Sequence, residues 1–129
     1  MTERVRISSG GLWEAAIGYS RALVLRDTCW LAGTTDAGPD GRSRHPGDAA
    51  AQARAAWEIA RAALEEAGFG LEDIVRTRTY VTRIEDAPAV AAVHGEVFGE
   101  IRPAATLVQV AGLMEPTLLV EIEAEARRG

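Results

Sequence analysis

One carboxylate stands inside an otherwise apolar segment near the end of the chain. Glu121 belongs to the run Leu-Leu-Val-Glu-Ile at residues 118–122. In a strand, alternate residues share a face, so Glu121, Glu123 and Glu125 lie side by side. Neighbouring like charges raise the pKa of a carboxyl group, and such a group serves as a general acid or base. The alternative is a row of solvated carboxylates on an exposed strand face.

The two histidines are the side chains that titrate near neutral pH. His94 follows Val90 by four residues, at the edge of the apolar stripe of a predicted helix. It is either a half-buried acid–base group or a structural side chain with one hydrogen-bond partner. His45 lies in a polar loop, where we expect a solvated bystander. Their spacing suggests no metal site, and we expect no metal or other cofactor.

Other reactive groups are scarce. Cys29 is the only cysteine, which excludes an intrachain disulfide and any multi-cysteine zinc or iron–sulfur site. It lies in the apolar run 29–32, so we expect a buried, inert thiol. All fourteen basic residues are arginine, which excludes a lysine Schiff base and a phosphate-loop lysine.

Composition and charge limit the functional classes. The 129 residues are 47% hydrophobic and 26% charged, which predicts a single globular domain over 1–129. The net charge of −5 disfavours nucleic acid as a partner, because binders of nucleic acid usually carry a basic excess. No run has the length of a membrane span, and the charged start is not a signal peptide. We therefore expect a cytoplasmic protein that binds neither membranes nor nucleic acids.

The first half of the chain predicts a hairpin followed by a helix. Residues 9–16 are expected to form a loop. Strands over 19–25 and 28–35 flank a turn at Arg26-Asp27. After a polar loop, Asp48 caps a helix that runs to about residue 64 or 67. Its buried stripe is mostly alanine, so the helix is able to approach a sheet closely.

The second half predicts a strand within 71–82, a helix from residue 85 to about 98, and strands over 105–110 and 118–126 joined by a turn at 112–116. Alternation divides the strand within 71–82 into two faces. One face takes Val75, Thr77, Thr79 and Val81, and the other takes Arg76, Arg78, Tyr80 and Thr82. For a lone monomer the arginine face is expected to be solvated; against another subunit it becomes an interface or a cleft.

These elements predict an α+β fold with one sheet and both helices on one of its faces. Such a sheet leaves its other face uncovered. Tyr80 and Leu119 fall among charges on that side, which suggests a surface completed by self-association.

Several segments resemble the RidA/YjgF family of reactive-intermediate (enamine/imine) deaminases, which is also labelled the L-PSP endoribonuclease family. The C-terminal signature is the most specific: Arg-Pro-Ala-Ala-Thr at 102–106, then Val-Glu-Ile-Glu-Ala at 120–124. Weaker likenesses precede it in the family's order: Gly-Tyr-Ser-Arg-Ala at 18–22, Ala-Gly-Thr at 32–34, Gln52, and Thr-Tyr-Val-Thr at 79–82. The resemblance covers nearly the whole chain.

The resemblance implies a chorismate-mutase-like α+β fold and a homotrimer whose three sheets face inward as a barrel, with small-molecule clefts between subunits. It implies hydrolysis of amino-acid-derived imines to keto acids and ammonia without a metal or cofactor. Glu121 occupies the position of the glutamate that orients the attacking water, and Tyr19 that of a cleft tyrosine. His94 is placed where the family usually has an asparagine. Ala32 replaces the family's serine.

One departure from the family pattern is chemically important. Ala105 stands where the resemblance implies an arginine that forks onto the substrate carboxylate. Alanine cannot make this bidentate pair, and loss of a buried charge-assisted pair typically costs about 2–5 kcal/mol of binding. Either the substrate lacks a carboxylate, or another arginine substitutes, or the protein binds a ligand without chemistry. The candidate substitutes are Arg21, Arg76, Arg78 and Arg102.

The favoured hypothesis is a RidA-like hydrolase or deaminase of a small imine, enamine or related C–N compound. Glu121 is its catalytic residue. The predicted ligand-binding residues are Tyr19, Gly33, Thr34, His94, Ala105, Thr106 and Leu107, the backbone amides near Thr106 and Leu107 holding an oxygen. The alternative is a non-catalytic, metabolite-binding or regulatory trimer. An endoribonuclease is the least favoured hypothesis, because the chain is acidic and shows no histidine pair.

Overall fold

The computed structural model describes residues 3–129. Six strands form one sheet, and two helices and three short helical turns complete the fold. The strands are β1 (Arg4–Ile7), β2 (Ala22–Leu25), β3 (Thr28–Thr34), β4 (Ile74–Val81), β5 (Ala104–Gln109) and β6 (Val120–Arg127). The helices are α1 (Ala49–Glu66) and α2 (Ala87–Phe98), and the turns are Glu14–Gly18, Leu71–Asp73 and Ile84–Asp86.

The sheet has the order β1-β2-β3-β6-β4-β5. All neighbours are antiparallel except β4 and β5, which are parallel. Both helices pack on one face, so the α+β prediction is confirmed. The expected closing strand pair is wrong: β5 and β6 are not neighbours, because β4 lies between them. The parallel β4–β5 connection uses α2 as its crossover.

The helix-covered face of the sheet holds the core. In β6, Val120, Ile122 and Ala124 are buried there, and the glutamates between them point to the opposite face, as predicted. In β4 the face assignment is wrong for Val75, which is 45% exposed, while Ile74 is buried. The pairing with β6 shifts between Ile74 and Arg76, and this irregularity resets the alternation.

Within residues 3–129 no helix packs on the opposite face, and we call it the open face. Arg78 pairs with Glu123 across strands and Tyr80 pairs with Glu121. Trp30 of β3 lies against Glu125. The sheet is therefore apolar beneath the helices, while the open face mixes charged and aromatic side chains.

Helix α1 begins and ends as predicted. The Asp48 side chain accepts a hydrogen bond from the Ala51 amide at 3.1 Å. At the other end Gly68 has a φ of +84°, and the Phe69 amide donates to Leu64 while the Gly68 amide donates to Glu65. This is a Schellman motif, in which glycine adopts the left-handed conformation at little cost.

Gln52 is a fully buried polar residue on the inner side of α1. Its amide nitrogen donates to the carbonyls of His45 (3.1 Å) and Thr117 (3.0 Å), and its oxygen accepts from the Leu119 amide (2.8 Å). One side chain thus joins the loop before α1 to the segment that enters β6.

The amino-terminal region differs most from the sequence-based expectation. Strand β1 was not predicted, since its four residues alternate charged and apolar over too short a span to stand out. The expected loop over 9–16 overlaps a helical turn at Glu14–Gly18. Strand β2 begins at Ala22 rather than at residue 19. Among residues 3–129, no helix is both long and apolar enough to cross a membrane.

Candidate functional site

A cavity of about 390 Å³ lies where the segment before β2, strand β3 and the start of β6 meet. This volume is in the range of small-molecule sites. Its polar walls include Tyr19, Arg21, Gly33, Thr34 and Glu121. Its apolar side chains include Leu12, Trp13, Ile17, Met114 and Leu118. Four residues predicted to act together, Tyr19, Gly33, Thr34 and Glu121, therefore share one pocket.

Glu121 lies directly over the backbone of Gly33. A Cβ atom at position 33 would stand 1.8 Å from Oε2 of Glu121, which is closer than any real contact. Only glycine leaves space for this carboxylate. Within residues 3–129, no group forms a hydrogen bond or an ion pair with Glu121, so its oxygens remain available to a ligand.

The environment of Glu121 favours its protonated form. Burial raises the pKa of this carboxyl group, the charge of Glu123 raises it further, and Arg21 opposes both effects. The net result is a pKa above the usual value. A carboxylate shifted in this direction is a stronger base near neutral pH than a solvated one.

Arg21 forms the polar hub of the pocket wall and is only 7% exposed. One terminal nitrogen donates to the carbonyl of Gly33 at 2.5 Å and to Oγ1 of Thr34 at 3.1 Å. The other donates to Glu14 at 3.4 Å and to the Tyr19 hydroxyl at 3.3 Å. A guanidinium has five N–H groups, and the fifth, on Nε, points to Ser9 Oγ at 3.4 Å.

Glu14 is the buried counter-ion of Arg21, and the sequence did not identify it as a site residue. Its carboxylate also accepts from the Ser8 hydroxyl at 3.0 Å, the Ser9 hydroxyl at 2.5 Å and the Gly11 amide at 3.2 Å. Burial raises the pKa of Glu14, but the hydrogen bonds from Ser9 and Ser8 and the charge of Arg21 outweigh this effect, so its pKa is lowered.

The bonds of Arg21 also set the roles of Tyr19 and Thr34. The Tyr19 oxygen accepts a hydrogen bond from Arg21, so its own O–H is free to donate into the cavity. Thr34 is 1% exposed; its hydroxyl donates to the Ala32 carbonyl at 2.8 Å and accepts from Arg21. The Tyr19 hydroxyl therefore lines the cavity with a free donor, while Thr34 holds Arg21.

His94 lies on the other side of the sheet, beneath the helices. Its ring packs against Trp57 and Phe98, with centroid distances of 6.0 Å and 4.6 Å. Nε2 lies 2.8 Å from the hydroxyl of Thr77, and burial lowers the pKa of the imidazole. Within one chain the sheet separates His94 from Glu121, so the two do not form an acid–base pair.

Ala105, Thr106 and Leu107 lie on β5, the edge strand of the sheet. Ala105 is opposite Thr77 and Leu107 opposite Thr79, so both face the helix side, while Thr106 faces the open side. Strand β5 stands two strands from β6, or about 9.5 Å. These residues are outside the pocket of their own chain.

The four arginines proposed to replace the missing guanidinium differ in whether their side chains already have partners. Arg21 has used all its donors. Arg78 is paired with Glu125 at 3.2 Å. Arg76 donates to the Thr106 hydroxyl at 2.6 Å. Arg102, at a φ of +56° after α2, is exposed, and its side chain has no partner within residues 3–129.

Two other sequence candidates are structural groups. Cys29 is fully buried, as predicted, and burial raises the pKa of its thiol to about 11, which disfavours the reactive thiolate. His45 is exposed, as its polar loop suggested, but it is not a bystander. Its Nδ1 lies 3.0 Å from the fully buried Asp36, which also bonds the Ser43 hydroxyl at 2.8 Å. Residues 3–129 contain no cluster of three or more metal-binding side chains.

Comparison with known proteins agrees with this architecture. The family model described as Endoribonuclease L-PSP matches residues 12–128. An uncharacterized protein of Streptomyces coelicolor is 37% identical over 124 residues, or 96% of this chain and 92% of the relative. The 3-aminoacrylate deaminase RutC of Acinetobacter baylyi is 42% identical over 82 residues, or 64% of each chain.

A crystal structure from Mycobacterium tuberculosis, described as a member of the YjgF/YER057c/UK114 family, superimposes with a TM-score of 0.88. It is 44% identical and the match covers 98% of this chain and 100% of that one. The resemblance read from the C-terminal signature is thereby confirmed, and the chain belongs to the RidA/YjgF family, the family of the Endoribonuclease L-PSP model.

Proposed function

We propose that the protein hydrolyses a small imine or enamine that lacks a carboxylate, in clefts between the subunits of a cytoplasmic homotrimer. The observation that carries the proposal is the Glu121 carboxylate, held without a partner over Gly33 at the wall of a small-molecule cavity. No metal or cofactor is required by this chemistry.

The reaction follows from the groups in the pocket. The carbon of a C=N bond is electrophilic, and an enamine reaches the same state when its β-carbon is protonated. Glu121 accepts a proton from water while the water oxygen bonds to the carbon of the C=N group and the π electrons of that bond move to nitrogen. Nitrogen takes this proton from Glu121 and a second proton from the new hydroxyl group, so the C–N bond breaks with ammonia as the leaving group and the hydroxyl becomes the C=O of the carbonyl product. The Tyr19 hydroxyl, whose oxygen already accepts from Arg21, is proposed to donate a hydrogen bond to the substrate during these steps.

The relative from Acinetobacter baylyi supports this reaction class, since 3-aminoacrylate is an enamine. That compound carries a carboxylate. Here Ala105 offers no guanidinium, and the arginine that lines the pocket has no donor left for a ligand. The class of reaction is therefore carried over from the relative, while the substrate is proposed to differ.

The trimer is proposed from the open face and the edge strand. Val108 of β5 is 43% exposed and Trp30 of β3 is 41% exposed, and both are large apolar side chains. A second copy packed there covers them and brings its own β5, with Ala105, Thr106 and Leu107, towards Glu121. Native mass spectrometry at micromolar concentration is expected to give three chains; a stable monomer rejects the intersubunit cleft.

A direct assay measures carbonyl product from 1-phenylpropan-2-imine and from 2-imino-3-phenylpropionate, which differ by a methyl group in place of the carboxylate. We expect the protein to accelerate hydrolysis of the first. Glu121→Gln should lower the rate by a factor of about 10² or more, in the range of general-base removal. Glu125→Gln is the matched control, because Glu125 is on the same face of β6 but pairs with Arg78. Equal rates for wild type and Glu121→Gln reject the proposal.

A second candidate is a trimer that binds a metabolite without chemistry, and the absence of a guanidinium at Ala105 favours it. Saturable ligand binding with no turnover of either imine is the expected result for that role. Restoring the side chain with Ala105→Arg adds a further comparison: turnover of the carboxylated imine by this variant alone indicates a competent scaffold whose natural substrate lacks the carboxylate.

Nuclease activity has no support beyond the family description, and intact RNA after incubation with pure protein excludes it.

A further inference from the structure

The charges around the cavity do not suit an anion. The guanidinium of Arg21 is the basic group that lines it, and five protein acceptors take its five N–H groups. A carboxylate ligand would have to break one of these bonds. Breaking such a bond is costly, because the displaced acceptor is left buried without a hydrogen-bond donor.

The charge of Arg21 is also neutralised from within. Glu14 lies 3.4 Å away, and the two side chains are 8% and 6% exposed. The pair as a whole is therefore neutral. Among the lining residues within 3–129, Glu121 is the carboxylate on the cavity wall, and its ionised form gives the pocket a net negative charge.

The other walls are apolar and open to solvent at the rim. Leu12, Ile17 and Met114 are 51%, 59% and 63% exposed although they are large hydrophobic side chains. Three such groups around one cavity exceed the scattered exposure that is normal for a surface. They provide contact area for an apolar substituent that extends from the Glu121 end of the pocket.

We propose that this pocket selects ligands that carry an apolar substituent and are cationic or uncharged at the end that meets Glu121. Glu14 is then a specificity-determining residue, because it neutralises Arg21 and so disfavours anions. The inference rests on the proposed function for the identity of the site. It goes further by giving the ligand a charge class and by assigning a role to a residue that does not touch the ligand.

The test uses three probes with one phenylethyl arm: 2-phenylethylamine, 2-phenylethanol and 3-phenylpropionate. Binding is followed by protein NMR, with the indole signal of Trp13 as the reporter on the cavity wall. We expect the amine to bind at least about tenfold more tightly than the carboxylate, with the alcohol between them. A carboxylate that binds as tightly as the amine, or an amine that does not perturb Trp13, overturns the inference.

Variants separate the two parts of the inference. Glu121→Gln should abolish the preference for the amine while the alcohol still binds. In Glu14→Gln, Arg21 regains its net charge, and the carboxylate should bind at least about fivefold more tightly than it does to wild type, as expected for one unit charge in a partly hydrated site. A folded Glu14→Gln protein without this gain removes the role given to Glu14. If that variant does not fold, the wild-type series and Glu121→Gln decide the charge preference.

Arg102 provides the internal control. It is the candidate arginine whose side chain is unpaired within residues 3–129, so it is free to reach the cleft of a second copy. Carboxylate binding that is tight in wild type and lost in Arg102→Gln places a guanidinium in the cleft and contradicts the inference. These measurements need no turnover. Preferential amine binding without imine hydrolysis therefore keeps the charge class and rejects only the proposed reaction.

Discussion

The buried Glu14–Arg21 pair allows a quantitative test of how the pocket wall is held. Removing one member leaves the other charge in a site that is less than a tenth exposed. Loss of one partner from a buried ion pair costs roughly 3–5 kcal/mol, because the remaining charge is uncompensated. We expect Glu14→Gln and Arg21→Met each to lose about this much stability. For a domain of this size, the melting temperature should fall by roughly 10–20 °C.

A double-mutant cycle isolates the coupling between the two side chains. The coupling energy should reach about 2–3 kcal/mol, the upper part of the range for residues in one network. The matched control is the pair Arg54–Glu96, whose side chains are 56% and 54% exposed. It has the shorter separation, 2.9 Å, yet its coupling should stay below about 1 kcal/mol because water screens it.

Urea unfolding followed by circular dichroism measures both cycles. All variants are compared at one protein concentration, because subunit association makes stability concentration-dependent. A Glu14–Arg21 coupling no larger than that of Arg54–Glu96 would refute the reasoning. Burial would then not govern the strength of this pair, and the hydrogen bonds from Ser8 and Ser9 would be sufficient to hold Glu14.

Three further predictions concern the two faces of the sheet. The pKa of Glu121 is raised in the folded state, so ionisation of this side chain destabilises the fold as pH rises through that pKa. Glutamine stays neutral, so Glu121→Gln should melt higher than wild type at pH 7. The difference should vanish below the ordinary carboxyl pKa of about 4.3. Gly33→Ala should move the Glu121 carboxylate aside, so imine turnover falls by at least tenfold while the melting temperature changes little; an unchanged rate contradicts the close approach. The pKa of His94 is lowered, so the folded state should lose stability as pH falls below about 6.5, and His94→Gln should reduce that loss in thermal melts recorded between pH 5 and 7.5.

The features that could be predicted from the sequence depend on local patterns. Helix α1 was found because Asp48, the alanine stripe and Gly68 are start, body and stop signals within one short segment. Strand β6 was assigned to two faces correctly because its alternation is uninterrupted. The carboxylate of Glu121 is also a local signal, because it is a charge inside an apolar run.

The remaining features depend on pairing between distant segments. Nothing local indicates that β6 inserts between β3 and β4, or that the register of β4 shifts after Ile74. The partnership of Glu14 with Arg21 arises only when the turn before β2 folds back onto it. A signal was present, since a glutamate among glycine, tryptophan and alanine at 11–16 is unusual. His94 and Glu121 are separated because they lie on opposite faces of the sheet, and their spacing along the sequence does not indicate this.

The buried amide of Gln52 has a consequence for motion. Because it bonds His45, Thr117 and Leu119 together, we expect the loop before α1 and the turn that carries Met114 to open as one cooperative unit. Backbone amides in these two stretches, more than sixty residues apart, should exchange with solvent at a common rate. We therefore expect thermal fluctuations of the pocket rim on that side to be concerted.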